Sequence, residues 1–215
     1  MKIVTWNVNS IKVRVPHVCD YLRTKAPDVV LLQETKIVDE KFPALEIEDL
    51  GYNIALLGQR TYNGVAILSK HPMEDVSRGL PGNTDDEQSR YIEATIKGLR
   101  IGSLYLPNGN PLGTEKFDYK LRWMSRLRDH AQAMLDDDID FVLGGDWNVA
   151  PAEQDLFDPG AFLEDAIAHP ESRALWREIN YLGLTESFRA LHPDLTQAWS
   201  YFDYQRGAWE KNHGI

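Results

Sequence analysis

The chain has 215 residues, 43% of them hydrophobic, and a formal net charge of −10, enough for one domain with a sizeable core or two small ones. No run of about 18 apolar residues occurs, so no membrane span is expected, and the N-terminus enters a strand-like pattern without a signal-peptide layout. Cys19 is the only cysteine, which excludes an intrachain disulfide and makes a reducing cytoplasm the expected compartment, while the acidic balance argues against a non-specific nucleic-acid coat.

In chain order, Ile3 to Trp6 reads as a strand. Val15, Val18, Cys19 and Leu22 recur at helical spacing, with Pro16 expected in the helix's first turn, and Ala26-Pro27-Asp28 breaks that helix. Val29 to Gln33 is the next strand. This strand–helix–strand unit should be parallel and right-handed, which brings Asn7 and Glu34 to one sheet end. A short helix near Phe42 to Leu50 precedes a hairpin of Tyr52 to Leu57 with Gly64 to Ser69. A second hairpin pairs Tyr91 to Ile96 with Arg100 to Leu106. Phe117, Leu121, Met124, Arg128, Ala131 and Leu135 share a helix face, all but Arg128 apolar, and Asp136-Asp137-Asp138 reads as its solvated end. Phe141 to Gly144 reads as a buried strand delivering Asp146. Leu175, Ile179 and Leu182 mark a further helix capped by Gly183. The alternation predicts an α/β fold, a two-sheet sandwich with helices on the outer faces.

The chemistry sits where strands end. Gln33-Glu34-Thr35-Lys36 follows one apolar run and Gly145-Asp146-Trp147-Asn148 another, while Asn7 closes the first strand. One carboxylate, one Asp-x-Asn and one Asn at three strand ends read as a hard-cation site, since magnesium takes one or two protein carboxylates and leaves its other positions to water and phosphate. That chemistry is metal-assisted phosphodiester hydrolysis. Simpler readings exist for each residue. Glu34 fits a surface carboxylate pairing with Lys36, Asn7 a turn former, and Asp146 with Asn148 an Asx turn. Tyr105 and the aromatics Trp199, Tyr201, Phe202 and Tyr204 fit core positions. Arg90 fits a salt bridge to the loop Asp85-Asp86-Glu87. Lys116 and Lys120 fit solvated positions, although their helix follows the Tyr105 loop and a phosphate contact by at least one is expected. Asp146 and Asn148 alternate on what reads as one extended segment, side chains pointing the same way. Gly144 and Gly145 are expected to let a substrate backbone approach closely. His17, His71, His130, His169 and His192 show no ligand spacing.

Six motifs in order carry a resemblance: Thr5-Trp6-Asn7-Val8-Asn9; Leu32-Gln33-Glu34-Thr35-Lys36; Tyr62 to Ser69; Gly102 to Gly109, containing Tyr105-Leu106-Pro107-Asn108; Gly144 to Pro151; and Trp199 to Tyr204. Together they resemble the exonuclease III family of abasic-site DNA endonucleases, within the endonuclease/exonuclease/phosphatase superfamily. The resemblance implies Mg²⁺ or Mn²⁺ as cofactor and Glu34 as principal metal ligand, with Asn7 positioning the metal or phosphate. It further implies Asp146 orienting and deprotonating the attacking water, Asn148 donating hydrogen bonds to the phosphate, and Tyr105 contacting the phosphate or leaving group. Arg90 and Asn108 would contact DNA, and Tyr201 with Phe202 would wall a pocket for the base-less sugar. The implied partner is double-stranded DNA with abasic sites or 3′ ends, cut 5′ to the abasic site or trimmed at its 3′ end, by a monomer without a membrane. In the family, the segment following Asn212-His213-Gly214-Ile215 continues into an Arg-x-Asp strand and an Asp-His pair. The expectation is therefore a single domain over residues 1–215 lacking its last strands, and nearly abolished hydrolysis by these residues alone. Two rivals remain open: a superfamily phosphodiesterase acting on a lipid, inositol phosphate or nucleotide, and a non-catalytic binding protein should residue 215 be the natural end.

Overall fold

The computed structural model describes residues 1–204 and 207–215. Among these residues eight strands form two four-stranded mixed sheets. The first has the order β1 (Ile3–Asn7), β2 (Val29–Gln33), β4 (Val65–Ser69), β3 (Asn53–Leu57). The second runs β5 (Glu74–Arg78), β6 (Tyr91–Ile96), β7 (Leu99–Tyr105), β8 (Phe141–Asp146). All eight lie in one compact unit, Met1–Leu106 with Gln132–Trp147. Between the sheets Val29, Leu31, Val65 and Ile67 meet Ile92, Ala94, Ile96 and Ile101. Every second residue of a strand faces the same way, so Val30, Leu32, Ala66 and Leu68 face outward, where Val18, Cys19 and Leu22 of α1 (Ile11–Lys25) cover them. The α/β two-sheet sandwich expected from the alternation is the fold.

Each sheet contains one parallel pair. β1 pairs with β2, setting Asn7 opposite Gln33; β7 pairs with β8, setting Tyr105 opposite Asp146. Parallel strands end together, and β1 packs against β8, so four strand ends converge.

The second compact unit comprises Pro107–Ala131 and Asn148–Ile215. It holds most of α3 (Glu115–Asp136), all of α4 (Pro170–Tyr181) and α5 (Ser187–Leu191). Arg128 of α3 pairs with Glu178 of α4 at 2.7 Å, which accounts for the one charged residue on that helix face. No helix among the described residues is long and apolar enough to cross a membrane.

Four details depart from the sequence expectations or add to them. α1 begins at Ile11, so Pro16 lies beyond the first turn. The start is set from outside the helix: the Ser10 and Ile11 N–H groups donate to the Glu34 and Thr35 carbonyls at 2.7 and 3.1 Å. β8 is half-buried rather than buried, being at a sheet edge. Tyr201, 41% exposed, and Tyr204, 44% exposed, do not take the core positions that were the simpler reading of the aromatics near the end of the chain. Gly144 and Gly145 have a packing reason that the sequence did not show: a Cβ on Gly144 would lie 2.6 Å from Leu31 Cδ1 of the facing sheet, and one on Gly145 would lie 1.9 Å from the Leu104 carbonyl oxygen.

Candidate active site

Glu34 leaves β2 with φ 53°, the left-handed region that non-glycine residues enter at a cost. Its neighbours hold it there. Ser10 N–H donates to its carbonyl, Thr35 N–H donates to Gly64 O at 3.1 Å, and Lys36 N–H to Asn63 O at 2.9 Å. Gly64 is required by this fit, since a Cβ there would come within 2.1 Å of Thr35 Oγ1 and its φ is +90°.

The carboxylate so placed meets Asn7. Asn7 Nδ2 donates to Glu34 Oε1 at 2.7 Å and to Asp146 Oδ2 at 2.8 Å. The Asn7 oxygen accepts the Asn9 N–H at 3.0 Å, which fixes the amide with nitrogen toward both carboxylates. In this geometry Asn7 organises a carboxylate pair; direct ligation of a cation through its oxygen, as expected for Asn7, requires the amide to turn. Lys36 Nζ lies 2.7 Å from Glu34 Oε2 and donates to Asn9 Oδ1 at 2.5 Å. Burial alone would raise the Glu34 pKa, but hydrogen bonds from Asn7 and Lys36, the Lys36 charge and a hydrogen bond from Tyr105 outweigh it and hold the carboxyl below its ordinary value. Glu34 is therefore an anion near neutral pH.

Tyr105 behaves oppositely. Burial and the Glu34 charge raise its pKa, the Arg90 guanidinium opposes them, and Asp146 adds to the rise. The phenol stays protonated and donates to Glu34. Arg90 stacks over the Tyr105 ring at 4.8 Å, donates through Nη1 to the Tyr105 carbonyl at 3.3 Å, and through Nε to Gln88 Oε1 at 2.7 Å.

Within the second unit, Asn108 is exposed and its Nδ2 donates to Asn148 Oδ1 at 3.3 Å. Asn148 has φ 45°, so the chain from Asp146 to Asn148 is not the single extended segment its alternation implied; β8 ends at Asp146. Lys116 is exposed, as expected. Lys120 is not solvated: it is fully buried, with its Nζ on the carbonyls of Asn108 and Asn148. Phe202 bridges to Gly214 and packs edge-on against Trp209 at 4.7 Å, while Tyr201 exchanges backbone hydrogen bonds with Ile215 at 2.8 and 2.9 Å.

Asn7, Glu34, Tyr105 and Asp146 are thus brought together, joined by Arg90 through Tyr105. Sequence reasoning gave no role of their own to Asn9 or Gln88, and read Lys36 as a surface partner of Glu34 and, with Thr35, as part of a motif favouring DNA. Asn9 carried one usable signal, since asparagine tolerates the left-handed conformation it adopts, φ 41°. Among the described residues no group of three or more His, Cys, Asp or Glu could hold a metal. The two carboxylates are donors of the kind that suits a hard cation keeping most of its shell as water and phosphate.

The sequence profile of the Endonuclease/Exonuclease/phosphatase family matches residues 4–215. Exodeoxyribonuclease III of Haemophilus influenzae is 31% identical over 227 residues, covering 100% of this chain and 85% of that protein. The chain belongs to the exonuclease III/AP endonuclease family of that superfamily. Solved members superpose closely. A 3′ phosphatase, NExo from Neisseria, bound to a product DNA hairpin, matches with TM-score 0.95 and 39% identity, covering 100% of this chain and 83% of that one. An AP endonuclease from Archaeoglobus fulgidus matches with TM-score 0.93 and 36% identity, again over 100% and 83%. In this chain Asn7, Glu34, Tyr105 and Asp146 lie at or just beyond strand ends that the two parallel pairs align.

Proposed function

We propose that the protein is a divalent-metal-dependent DNA phosphodiester hydrolase of DNA repair, cleaving 5′ to abasic sites and trimming 3′ ends, including 3′ phosphates. The observation that carries this reading is the Asn7 amide holding Glu34 and Asp146 as a pair, at 2.7 and 2.8 Å. The activities named for its relatives, exodeoxyribonuclease III, 3′ phosphatase and AP endonuclease, support the substrate class.

Glu34, kept ionised by its hydrogen bonds, would be the main ligand of Mg²⁺ or Mn²⁺, with Asn7 fixing its orientation. Such a cation, when bound, polarises the phosphate and stabilises the leaving oxygen. Asp146 orients the attacking water and accepts its proton. Tyr105, protonated, offers its O–H to a phosphate oxygen in exchange for Glu34. Asn148 donates to the phosphate as charge builds there. Arg90, Asn108 and Lys116 would contact the DNA, and Tyr201 with Phe202 would stack near the base-less sugar. That sugar leaves the helix readily because no base pairing or stacking has to be broken at it.

The net charge of −10 favours a second reading with the same chemistry, a small soluble or lipid phosphodiester as substrate. The test uses protein expressed from its full reading frame, with magnesium or manganese, on three substrates: an abasic duplex, a duplex with a 3′ phosphate, and a soluble aryl phosphodiester. Metal-dependent cutting of the duplexes well above the soluble ester supports the DNA reading. Preference for the soluble ester overturns it.

A further inference from the structure

Lys120 lies on α3 and is 0% exposed, among the largest fully buried side chains of the protein with Trp123 and Tyr91. A buried ammonium is tolerated only when its donors are used. Here they are used on backbone: Nζ donates to the carbonyls of Asn108 at 3.0 Å and Asn148 at 2.6 Å. These residues belong to different loops, and their side chains meet as well, Asn108 Nδ2 donating to Asn148 Oδ1 at 3.3 Å. The stem is equally fitted. Gly109 has φ +91°, and a Cβ there would lie 2.6 Å from Lys120 Cδ and 3.2 Å from Ala166 Cβ. Asn148 holds a left-handed φ of 45°, a conformation that persists when its surroundings over-determine it; the lysine on its carbonyl is one such restraint.

We propose that Lys120 is a positioning residue of the nuclease site: a helix-borne ammonium ties the Asn108 and Asn148 loops together and fixes the angle of the Asn148 amide. This rests on the reading of Asn148 as the donor to the phosphate. It replaces the role the sequence invited, a direct phosphate contact, because an ammonium enclosed on two carbonyls cannot reach DNA without abandoning both.

The two roles differ in salt dependence. A lysine that neutralises a phosphate contributes about one unit to the slope of log affinity against log salt, and its loss lowers that slope. A positioning lysine leaves the slope alone and acts on turnover. The experiment measures kcat, KM and salt-dependent binding of an abasic duplex for wild type, Lys120→Met, Lys120→Arg and Lys116→Met, below each protein's melting temperature. For Lys120→Met the expected result is an unchanged slope with kcat reduced roughly 10–100-fold, as when a group orienting a site residue is removed. Lys120→Arg, which restores donors and charge, should recover much of that loss, and Lys116→Met should lower the slope. A lower slope in Lys120→Met would overturn the proposal, as would an unchanged kcat accompanied only by a lower melting temperature. An active wild type with unaffected Lys120→Met sinks the positioning role alone; a wild type that cuts no DNA sinks the functional reading and the positioning role with it. Should Lys120→Met fail to fold, reductive methylation of native wild type decides, with Lys116 labelled and Lys120 protected. Equal labelling of the two would show that Lys120 is not enclosed.

Discussion

Asn7→Asp changes one atom and inverts the logic of the site. In the wild type Nδ2 stands 2.7 Å from Glu34 Oε1 and 2.8 Å from Asp146 Oδ2, donating to both. The substitution puts an oxygen there. Each hydrogen bond lost to a charged partner is worth about 1.5–3 kcal/mol. Each carboxylate pair created at that separation repels by about 6 kcal/mol at an effective dielectric of 20, before any relaxation. The sum rivals the ~5–15 kcal/mol that holds a domain folded, so the three carboxyl groups cannot all ionise and one must keep a proton, its pKa raised in the folded state. A group with a raised folded pKa stabilises the fold while protonated and loses that contribution as pH climbs through the folded value. The variant should therefore lose stability from mildly acidic to mildly alkaline pH, where the wild type is nearly flat. Millimolar Mn²⁺ should reverse the loss, giving a larger metal-induced rise in melting temperature than in wild type. Melts across that pH range, with and without Mn²⁺, make the measurement. A variant with wild-type stability at alkaline pH and no added response to metal would refute the placement of Asn7 between two carboxylates.

Three further outcomes follow from the same geometry. Glu34→Gln leaves one oxygen to serve both Asn7 and Lys36, so Mn²⁺ affinity by calorimetric titration should drop at least tenfold. Because the Glu34 pKa lies below its ordinary 4.5, its stabilising contribution is present above that pH and fades as pH falls through the depressed value, so Glu34→Gln should also flatten the acid limb of stability. Asp146→Asn, in protein from the full reading frame, should keep DNA binding while turnover falls by the ~10²–10⁴-fold typical of losing a general base; near-normal turnover at saturating substrate would assign water activation elsewhere. Gly144→Ala drives a methyl to within 2.6 Å of Leu31 Cδ1, and this overpacking should cost about 1–3 kcal/mol in urea unfolding without altering metal affinity.

The apolar strands could be read from the chain because burial on both faces writes itself as a continuous hydrophobic run. β2 and β4 are examples, buried at every position. β5 could not be read. Its sequence Glu-Asp-Val-Ser-Arg has no such run, and it exists by pairing at a sheet edge with β6, through a register shift between Glu74 and Ser77. The start of α1 was equally hidden. Ser10 and Ile11 are placed by carbonyls of Glu34 and Thr35, more than twenty residues away, and no local propensity reports that. Gly144 and Gly145 were visible as glycines, but only the facing Leu31 and the neighbouring Leu104 carbonyl say what their missing side chains make room for.

The site shows the same division more sharply. Residue type and strand-end position pointed to Asn7, Glu34 and Asp146 as a cation site, but each also had a plain structural reading; the resemblance of the motifs, and for Tyr105 the resemblance alone, decided between them. What each does depends on its neighbours across the sheets. Asn7 offers nitrogen rather than oxygen only because Asn9 N–H occupies its oxygen. Tyr105 remains a donor because burial, and after it the charges of Glu34 and Asp146, hold its phenol protonated against the Arg90 guanidinium. Lys120 reads as a surface residue by composition and position, yet burial turns its charge into a structural tie. The positions where sequence rules mislead are those held against local preference: Glu34 and Asn148 at positive φ, and a lysine in the interior. Such conformations persist only when several long-range contacts over-determine them. Each such position is therefore an argument for function in its own unit, Glu34 beside Asn7 and Lys36, Asn148 beside Asn108 and Lys120, one that composition, periodicity and spacing cannot supply.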